Sequence, residues 1–227
     1  MKTETLEVGG DARSYLVLVP ASLDARVRAP VLLGFHGGSG TAENAHRSYG
    51  LAGDEPALYV YPQAISWPEA GGVAWNVDPN GHDLPYFDAL LADLGEKYCI
   101  DTTRVFAAGQ SNGAFFVNAL GCYRPDAIRA IASVAGGGPP GQCSGSVSAM
   151  IIHGTADTTV AIEKGTFSRD YWLAANGCTG AASMPDDIAA CARYSGCAEP
   201  VLWCEHDGGH PWPDFAGATI REFFLSL

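Results

Sequence analysis

The pattern of apolar and polar positions along this chain predicts short buried strands that alternate with helices. Continuous apolar runs predict strands that are covered on both faces, and apolar positions at a period near 3.6 predict helices. The predicted strands are 13–19, 31–35, 58–61, 105–108, 130–135, 150–153 and 201–204. The predicted helices are 41–50 with Thr41 as N-cap, 86–98, 112–123, 162–175 and 214–227. Segments 63–83 and 176–199 read as loops because turn residues or cysteines punctuate them.

This alternation predicts an α/β fold with a mainly parallel central sheet and helices on both faces. Ligands of such sheets bind beyond the carboxyl ends of the strands. Polar and glycine-rich segments follow several of the predicted strands directly, and we therefore expect them to converge at one edge of the sheet.

The segment Gly109-Gln110-Ser111-Asn112-Gly113 lies between a predicted strand and a predicted helix. It fits the Gly-x-Ser-x-Gly pattern of a nucleophile elbow, in which glycines permit a tight turn that exposes the serine oxygen. An ordinary strand-to-helix turn is the competing interpretation. A serine becomes nucleophilic only beside a base that a third group orients.

Two later segments offer that base and that third group. Asp157 follows the strand at 150–153, and His210 lies in a Gly-Gly-His loop before the last helix. The order Ser111, Asp157, His210 is the order of α/β-hydrolase triads. His206 and His153 are the alternative bases, and Asp207 and Asp214 are the alternative acids.

A glycine-rich turn after the strand at 31–35 is a candidate oxyanion site. The backbone N–H of Gly38 in this turn and that of Asn112, the residue after the nucleophile, are the expected donors to a developing oxyanion. A metal cluster of His206, Asp207 and His210 is disfavoured because Gly208 and Gly209 fix no common face for the ligands. No metal site is predicted.

Composition bounds the molecule and its partners. The chain has 227 residues, 47% of them hydrophobic, which predicts a single domain over residues 1–227. No run approaches the roughly 18 apolar residues of a membrane span. The net charge is −12 and basic residues form no cluster, which argues against a nucleic-acid partner. We expect a monomer without nucleic-acid or membrane partners.

Seven cysteines indicate disulfides made in an oxidising compartment. No CxxC pair is present, so a zinc site is not expected, and the odd number leaves at least one thiol unpaired within the chain. Our hypotheses for the pairing are Cys191–Cys197 and Cys178–Cys204. Residues 1–5 are not followed by the apolar run of a signal peptide. Because of the cysteines, we expect a mature secreted protein rather than a cytoplasmic one.

Five ordered motifs resemble the secreted feruloyl esterases of carbohydrate esterase family 1, and equally the related polyhydroxybutyrate-depolymerase-type esterases. They are His36-Gly37-Gly38-Ser39-Gly40, Cys99-Ile100-Asp101, the Ser111 segment, His153-Gly154-Thr155-Ala156-Asp157 and Gly209-His210-Pro211-Trp212-Pro213. The resemblance covers nearly the whole chain. It implies an α/β-hydrolase fold, secretion and no cofactor, with Ser111 as nucleophile, Asp157 as acid and His210 as base.

The chain departs from the family pattern near the expected substrate pocket. His82-Asp83-Leu84-Pro85-Tyr86 replaces Asp-Asp-Val-Gly-Phe, and Gly113-Ala114 replaces Gly-Gly. Aromatic residues in or beside the motifs are candidates for an acyl pocket: Trp75, Tyr86, Phe115 and Trp212. Core packing is the competing interpretation, and it is favoured for Phe115 and Phe116. Stacking on an indole gains about 0.5–1.5 kcal/mol beyond burial, which biases substrate choice without fixing it.

The leading functional hypothesis is a serine esterase that acts on feruloyl or other hydroxycinnamoyl esters of plant cell-wall arabinoxylan. A short-chain polyester depolymerase or an acetyl xylan esterase is the near alternative. A prolyl peptidase of this fold is disfavoured because such enzymes usually carry a propeller domain. A non-catalytic carbohydrate-binding relative is disfavoured because the three triad residues are intact.

Overall fold

The computed structural model describes residues 1–24, 26–143, 145–183 and 191–227. Within them the chain forms twelve strands and five α-helices. The strands are β1 (Lys2–Val8), β2 (Asp11–Leu18), β3 (Ala29–Phe35), β4 (Leu58–Pro62), β5 (Ser66–Trp67), β6 (Gly72–Val73), β7 (Ile100–Gln110), β8 (Ala130–Val134), β9 (Ser148–Gly154), β10 (Ala182–Ser183), β11 (Cys191–Tyr194) and β12 (Val201–His206). The helices are α1 (Ala42–Ser48), α2 (Asp83–Lys97), α3 (Asn112–Tyr123), α4 (Ile162–Ala175) and α5 (Ala216–Leu225).

Ten of these strands form one sheet in the order β1-β2-β4-β3-β7-β8-β9-β12-β11-β10. The six central strands, β4 to β12 in that order, pair in parallel. Antiparallel strands extend the sheet at both sides, β1 and β2 at one and β11 and β10 at the other. The carboxyl ends of β3, β7, β9 and β12 therefore meet at one edge, which is where the candidate residues lie.

Helices cover both faces of this sheet because its central strands are apolar on both sides. Every residue of β3, β4, β8 and β9 is buried. One hydrophobic cluster joins one face of the sheet to α2, α3 and α4 through residues such as Leu90, Phe116 and Trp172. A second cluster joins the opposite face to α1 and α5 through Ala45 and Phe223. The predicted α/β architecture with a mainly parallel sheet is confirmed.

The pattern-based elements are confirmed within three residues at their ends, except that β7 begins at Ile100, five residues before its predicted start. Thr41 caps α1 as predicted, its side chain accepting a hydrogen bond from the Asn44 N–H. Three features were not predicted: the amphipathic edge strand β1, the β5–β6 hairpin inside the 63–83 segment, and strands β10 and β11 in the 176–199 segment. Residues 184–190 of that last segment lie outside the described residues. No α-helix among the described residues is long and apolar enough to cross a bilayer.

Both disulfide hypotheses are wrong. The structure pairs Cys191 with Cys204 and Cys178 with Cys197, and a third bond joins Cys122 to Cys143. The reason is the unpredicted strand β11, which places Cys191 directly opposite Cys204 on β12 in an antiparallel ladder. Cys99 is the unpaired thiol and is exposed.

Candidate active site

Ser111 stands at a strained turn between β7 and α3. Its backbone has φ 55° and ψ −119°, a conformation that residues with a β-carbon adopt only when surrounding contacts impose it. The Ser111 N–H donates to the Val134 carbonyl at 3.0 Å, and the Ser111 carbonyl accepts from the Ala114 and Phe115 N–H groups at 2.9 and 3.1 Å. These bonds hold the turn between the neighbouring strand and the first turn of the helix.

The two glycines of the motif are required by close backbone approach. A β-carbon on Gly109 would lie 2.3 Å from the Gly113 carbonyl oxygen, and one on Gly113 would lie 2.2 Å from the Phe35 carbonyl oxygen. Both distances are shorter than any real contact of a β-carbon. The Gly-x-Ser-x-Gly spacing therefore reflects the packing of α3 against the end of β3, which brings Ser111 to the sheet edge.

His210 and Asp157 form the hydrogen bond that a catalytic base and its orienting acid require. His210 Nδ1 lies 2.8 Å from Asp157 Oδ2. The other carboxylate oxygen accepts the Thr159 and Val160 N–H groups at 2.8 and 2.9 Å. Burial raises the pKa of Asp157, but the hydrogen bonds from His210, Val160 and Thr159 outweigh it, so the pKa lies below its usual value. The carboxylate is thus held ionised beside the imidazole.

The alternative bases and acids have other partners or positions. His153 is fully buried, donates from Nε2 to the Val160 carbonyl at 2.9 Å, and lies 3.5 Å from Asp157 Oδ2. It therefore braces the turn that carries Asp157. The Nδ1 atom of His206 accepts the Gly208 N–H at 3.1 Å, and burial lowers the pKa of His206. The side chains of Asp207 and Asp214 are exposed.

The glycine-rich turn after β3 lies against Ser111. A β-carbon on Gly37 would be 3.4 Å from Ser111 Cβ, and one on Gly38 would be 3.8 Å from Asn112 Cβ. His36 Nδ1–H donates to the Gly37 carbonyl at 2.7 Å, and the Gly40 N–H donates to the same oxygen at 3.0 Å. Because the peptide is planar and trans, the Gly38 N–H points away from that oxygen.

Neither proposed oxyanion donor has a hydrogen-bond acceptor among the described residues. Asn112 is the first residue of α3, so its N–H has no acceptor within the helix. Within the described part of the chain, the Gly38 N–H also has no acceptor. The structure thus places Ser111, Gly38, Asn112 and the hydrogen-bonded pair His210–Asp157 at the same edge of the sheet, and their catalytic roles stay predictions.

The side chain of Asn112 holds a loop beside the site. Its Oδ1 accepts the Trp75 N–H at 2.6 Å and its Nδ2–H donates to the Trp75 carbonyl at 3.1 Å. The loop is anchored further along by Asp83, which accepts the Asn76 N–H at 2.6 Å and pairs with Arg13 at 2.5 Å in a fully buried ion pair. These bonds therefore hold the Trp75–Asn76 part of the loop in place beside the site.

Two of the four predicted substrate residues are core residues. Trp75 and Tyr86 are each 1% exposed. The Trp75 ring packs on Phe116, and its Nε1–H donates to the His36 carbonyl at 2.9 Å. The pocket prediction is corrected at these two positions: Trp75 is held against α3 by the side chain of Asn112, and Tyr86 lies on the buried side of α2, where its hydroxyl donates to the Ser14 carbonyl.

The other two predicted substrate residues are partly exposed at the sheet edge. Phe115 is half-buried on the first turn of α3. Trp212 stacks on Tyr49 with ring centroids 3.9 Å apart, and it lines a cavity of about 330 Å³ together with Gly38 and Gln110. Trp212 thus borders a space that opens beside the oxyanion turn.

Sequence reasoning did not identify two residues that shape the site. Gln110 donates from Nε2 to the His210 carbonyl at 3.0 Å and so ties the base's loop to the nucleophile's strand. His36 orients the Gly37–Gly38 peptide. Burial lowers the pKa of His36, although the Gly37 hydrogen bond opposes this. The only signal for either residue was its place inside a motif, which does not reveal where its side chain points.

Comparisons with known proteins show what the chain is similar to. No family model matches the chain. Feruloyl esterase D of Neurospora crassa is 29% identical over 92% of this chain and 77% of its own length, and feruloyl esterase C of Emericella nidulans is 27% identical over 95% and 85%. The predicted resemblance to feruloyl esterases is confirmed at this level of identity.

Solved structures share the fold. An acetyl xylan esterase from Aspergillus awamori superposes with a TM-score of 0.77 over 99% of this chain and 100% of that one, at 14% identity. A CE1 ferulic acid esterase from Anaeromyces mucronatus, solved with ferulic acid, gives a TM-score of 0.61 over 98% and 91%, at 17% identity. The chain has the α/β-hydrolase fold.

Proposed function

We propose that this α/β-hydrolase is a serine carboxylic-ester hydrolase that releases hydroxycinnamic acids such as ferulic acid from plant cell-wall polysaccharide. The observation that carries the proposal is that the strained Ser111 turn, the His210–Asp157 hydrogen bond of 2.8 Å and two N–H groups without an acceptor among the described residues lie at one sheet edge. The feruloyl esterase relatives support the acyl group. The proposed catalytic domain is a single unit of residues 1–227, and it needs no cofactor.

The proposed reaction is acyl transfer in two halves. His210 Nε2 takes the proton of Ser111 Oγ as that oxygen attacks the ester carbonyl. Asp157 holds the imidazole in the required tautomer and stabilises the imidazolium. The N–H groups of Gly38 and Asn112 stabilise the oxyanion, and one such donor is worth roughly 2.7–4 kcal/mol. His210 then protonates the leaving sugar alkoxide, which departs and leaves the acyl group on Ser111.

Water completes the cycle. His210 takes a proton from a water molecule that attacks the acyl-enzyme carbonyl, and the same two N–H groups stabilise the second oxyanion. Collapse of this intermediate breaks the bond to Ser111 Oγ, and His210 returns the proton to that oxygen. The products are the free hydroxycinnamic acid and the hydroxyl group of the polysaccharide.

The disulfides and the net charge bear on where the protein acts and on its partners. Three disulfides are consistent with an extracellular protein, because such bonds persist in oxidising compartments. We propose that the enzyme is secreted, acts as a monomer on feruloylated arabinoxylan, and has no nucleic-acid or membrane partner. The net charge of −12 supports this by disfavouring polyanionic partners.

A second candidate function is the hydrolysis of acetyl groups on xylan. The superposition on the acetyl xylan esterase of Aspergillus awamori covers 99% of this chain, and an acetyl group is much smaller than a feruloyl group. A short-chain polyester is the remaining alternative substrate.

Initial rates on methyl ferulate and on 4-nitrophenyl acetate, measured side by side, test the proposal. We expect the wild-type protein to hydrolyse both, and we expect Ser111→Ala to lower both rates more than about a thousandfold while the fold persists. Ser22→Ala, which changes an exposed serine that donates to the Asp54 carbonyl, is the matched control and should retain full rates.

The outcomes separate the candidates. Turnover of the acetate alone would remove the hydroxycinnamoyl assignment and favour acetyl or polyester substrates. Near-native rates in Ser111→Ala would overturn the nucleophile itself. Intact mass after fluorophosphonate treatment provides a second readout, since only a chain with a reactive serine gains the label.

A further inference from the structure

Phe167 on α4 is a large aromatic residue that is exposed and does not contribute to the buried core. Its side chain is 55% accessible, whereas α4 buries Gly165, Ser168 and Trp172. Hydrogen bonds from Ser168 Oγ at 3.0 Å and Trp172 Nε1 at 2.8 Å to Asn118 Oδ1 fix the rotation of the helix. Phe167 is thus held outside the core. An exposed large apolar side chain in a fixed position is an informative feature of a surface.

Phe167 and Phe115 lie on consecutive glycines that follow β8. A β-carbon on Gly137 would be 2.5 Å from Phe115 Cε1, and one on Gly138 would be 2.7 Å from both Cδ1 and Cε1 of Phe167. Each phenyl ring therefore rests directly on the backbone. Both rings therefore border the segment that follows the carboxyl end of β8, and we call this pair of rings the phenyl wall.

The phenyl wall is continuous with the nucleophile turn. Phe115 lies one helical turn after Ser111, and its N–H donates to the Ser111 carbonyl at 3.1 Å. The Ser111 N–H donates to Val134, the last residue of β8, from which the chain runs on to Gly137 and Gly138. The segment from Val134 to Gly138 thus links the nucleophile turn to the glycines against which Phe115 and Phe167 lie.

We propose that the phenyl wall is the subsite for the aromatic ring of the acyl group, and that Phe167 determines specificity for acyl groups that carry such a ring. The inference rests on the proposed function and deepens it. In a hydroxycinnamoyl ester the rigid propenoyl group holds the ring away from the carbonyl that Ser111 attacks. The ring can then reach an apolar surface beyond Phe115, whereas an acetyl group ends at the carbonyl and does not reach it.

Two esters with one leaving group test the inference. With 4-nitrophenyl ferulate and 4-nitrophenyl acetate, only the acyl group differs. We expect Phe167→Ala to lower kcat/KM for the ferulate about tenfold, mainly through KM, and to change the acetate by less than about twofold. Phe167→Trp, which keeps a flat aromatic face, should restore most of the ferulate activity.

A matched control separates this effect from a general loss of exposed apolar surface. Val27 is 59% exposed and lies in a groove with Cys99 at the opposite edge of the sheet. Val27→Ala should leave the ratio of the two rates unchanged.

The results distinguish the inference from the proposed function. If the wild type cleaves the ferulate and Phe167→Ala keeps the wild-type ratio, the phenyl wall is not the subsite, but the feruloyl assignment stands. If the wild type cleaves the acetate and not the ferulate, the feruloyl assignment fails and the inference fails with it. Equal loss on both esters, with unchanged unfolding behaviour, would also overturn the inference.

Discussion

Single glycines around the nucleophile are fixed by contacts that leave no room for a methyl group. Gly113 is packed against the carbonyl oxygens of Phe35 and His36, at 2.2 and 2.6 Å from the position its β-carbon would take. Both neighbours are backbone atoms of β3 and its turn, so neither can move without displacing the oxyanion loop. At this position glycine serves packing, since its φ is not in the left-handed region.

Gly113→Ala is expected to destabilise the protein by about 2–3 kcal/mol, because overpacking against backbone forces α3 away from β3. Urea unfolding followed by tryptophan fluorescence measures the change. Gly95→Ala is the matched control. Gly95 lies within α2, and its β-carbon would meet only Ile100 Cδ1, at 4.0 Å. That variant should gain about 0.5–1 kcal/mol. Equal stabilities for the two variants would contradict the packing argument.

At the scale of elements, the antiparallel extension of the sheet supports the loop that carries the base. Strand β11 pairs with β12, and the Cys191–Cys204 disulfide joins them at a directly opposed position. His210 follows β12 by four residues. The disulfide therefore restrains the strand from which the candidate base is presented.

Replacing both Cys191 and Cys204 by alanine is expected to lower the free energy of unfolding by about 3 kcal/mol, the value for a loop of this length. The two cysteines are separated by 13 residues. Chemical unfolding under non-reducing conditions measures the loss. Cys99→Ser, which changes an exposed free thiol, should stay within about 0.5 kcal/mol of the wild type. A double variant as stable as Cys99→Ser would show that the bond contributes nothing.

At the scale of the whole molecule, the pH dependence of stability combines opposing contributions. The net charge of −12 at pH 7 makes the folded state self-repulsive, and acidification relieves this. Buried His36 acts in the other direction. Burial lowers its pKa below the usual value, and the nearby carboxylates of Asp83 and Glu43 offset this only in part. As the pH is lowered, the unfolded chain therefore binds a proton at His36 at a higher pH than the folded protein does.

The consequence for His36 is a stabilising contribution that is complete above its unfolded pKa of about 6.5 and is lost as the pH falls through that value toward the folded one. His36→Gln cannot titrate, so the stability difference between it and the wild type should shrink from pH 7.5 to pH 5. Urea unfolding of both proteins at each pH measures this difference. His206 and Asp157, whose folded pKa values are also lowered, are common to both proteins and cancel. A difference that stays constant or grows on acidification would contradict the argument.

Local patterns were sufficient for the parallel centre of the fold and for the candidate catalytic residues. Strands such as β3 and β9 are buried on both faces, so their apolar runs identify them without any knowledge of neighbours. The Ser111 motif was also recognisable locally, because its five residues lie between a predicted strand and a predicted helix, although the contacts that require Gly113 come from β3 and the turn after it. Strand β1 was missed because only one of its faces meets the protein and its exposed residues dilute the pattern.

The sequence by itself determined the alternation of strands and helices, the edge of the sheet where the predicted triad of Ser111, Asp157 and His210 lies, and the presence of an unpaired cysteine. These follow from periodicity, chain order and parity, which are properties of the chain read in one dimension. Only the tertiary structure decided the disulfide partners, the burial of Trp75 and Tyr86, the Asn112–Trp75 bonds and the exposure of Phe167. These features depend on which distant segments pack together and on how each helix is rotated about its axis. A short window of residues encodes neither the packing partners nor the rotation.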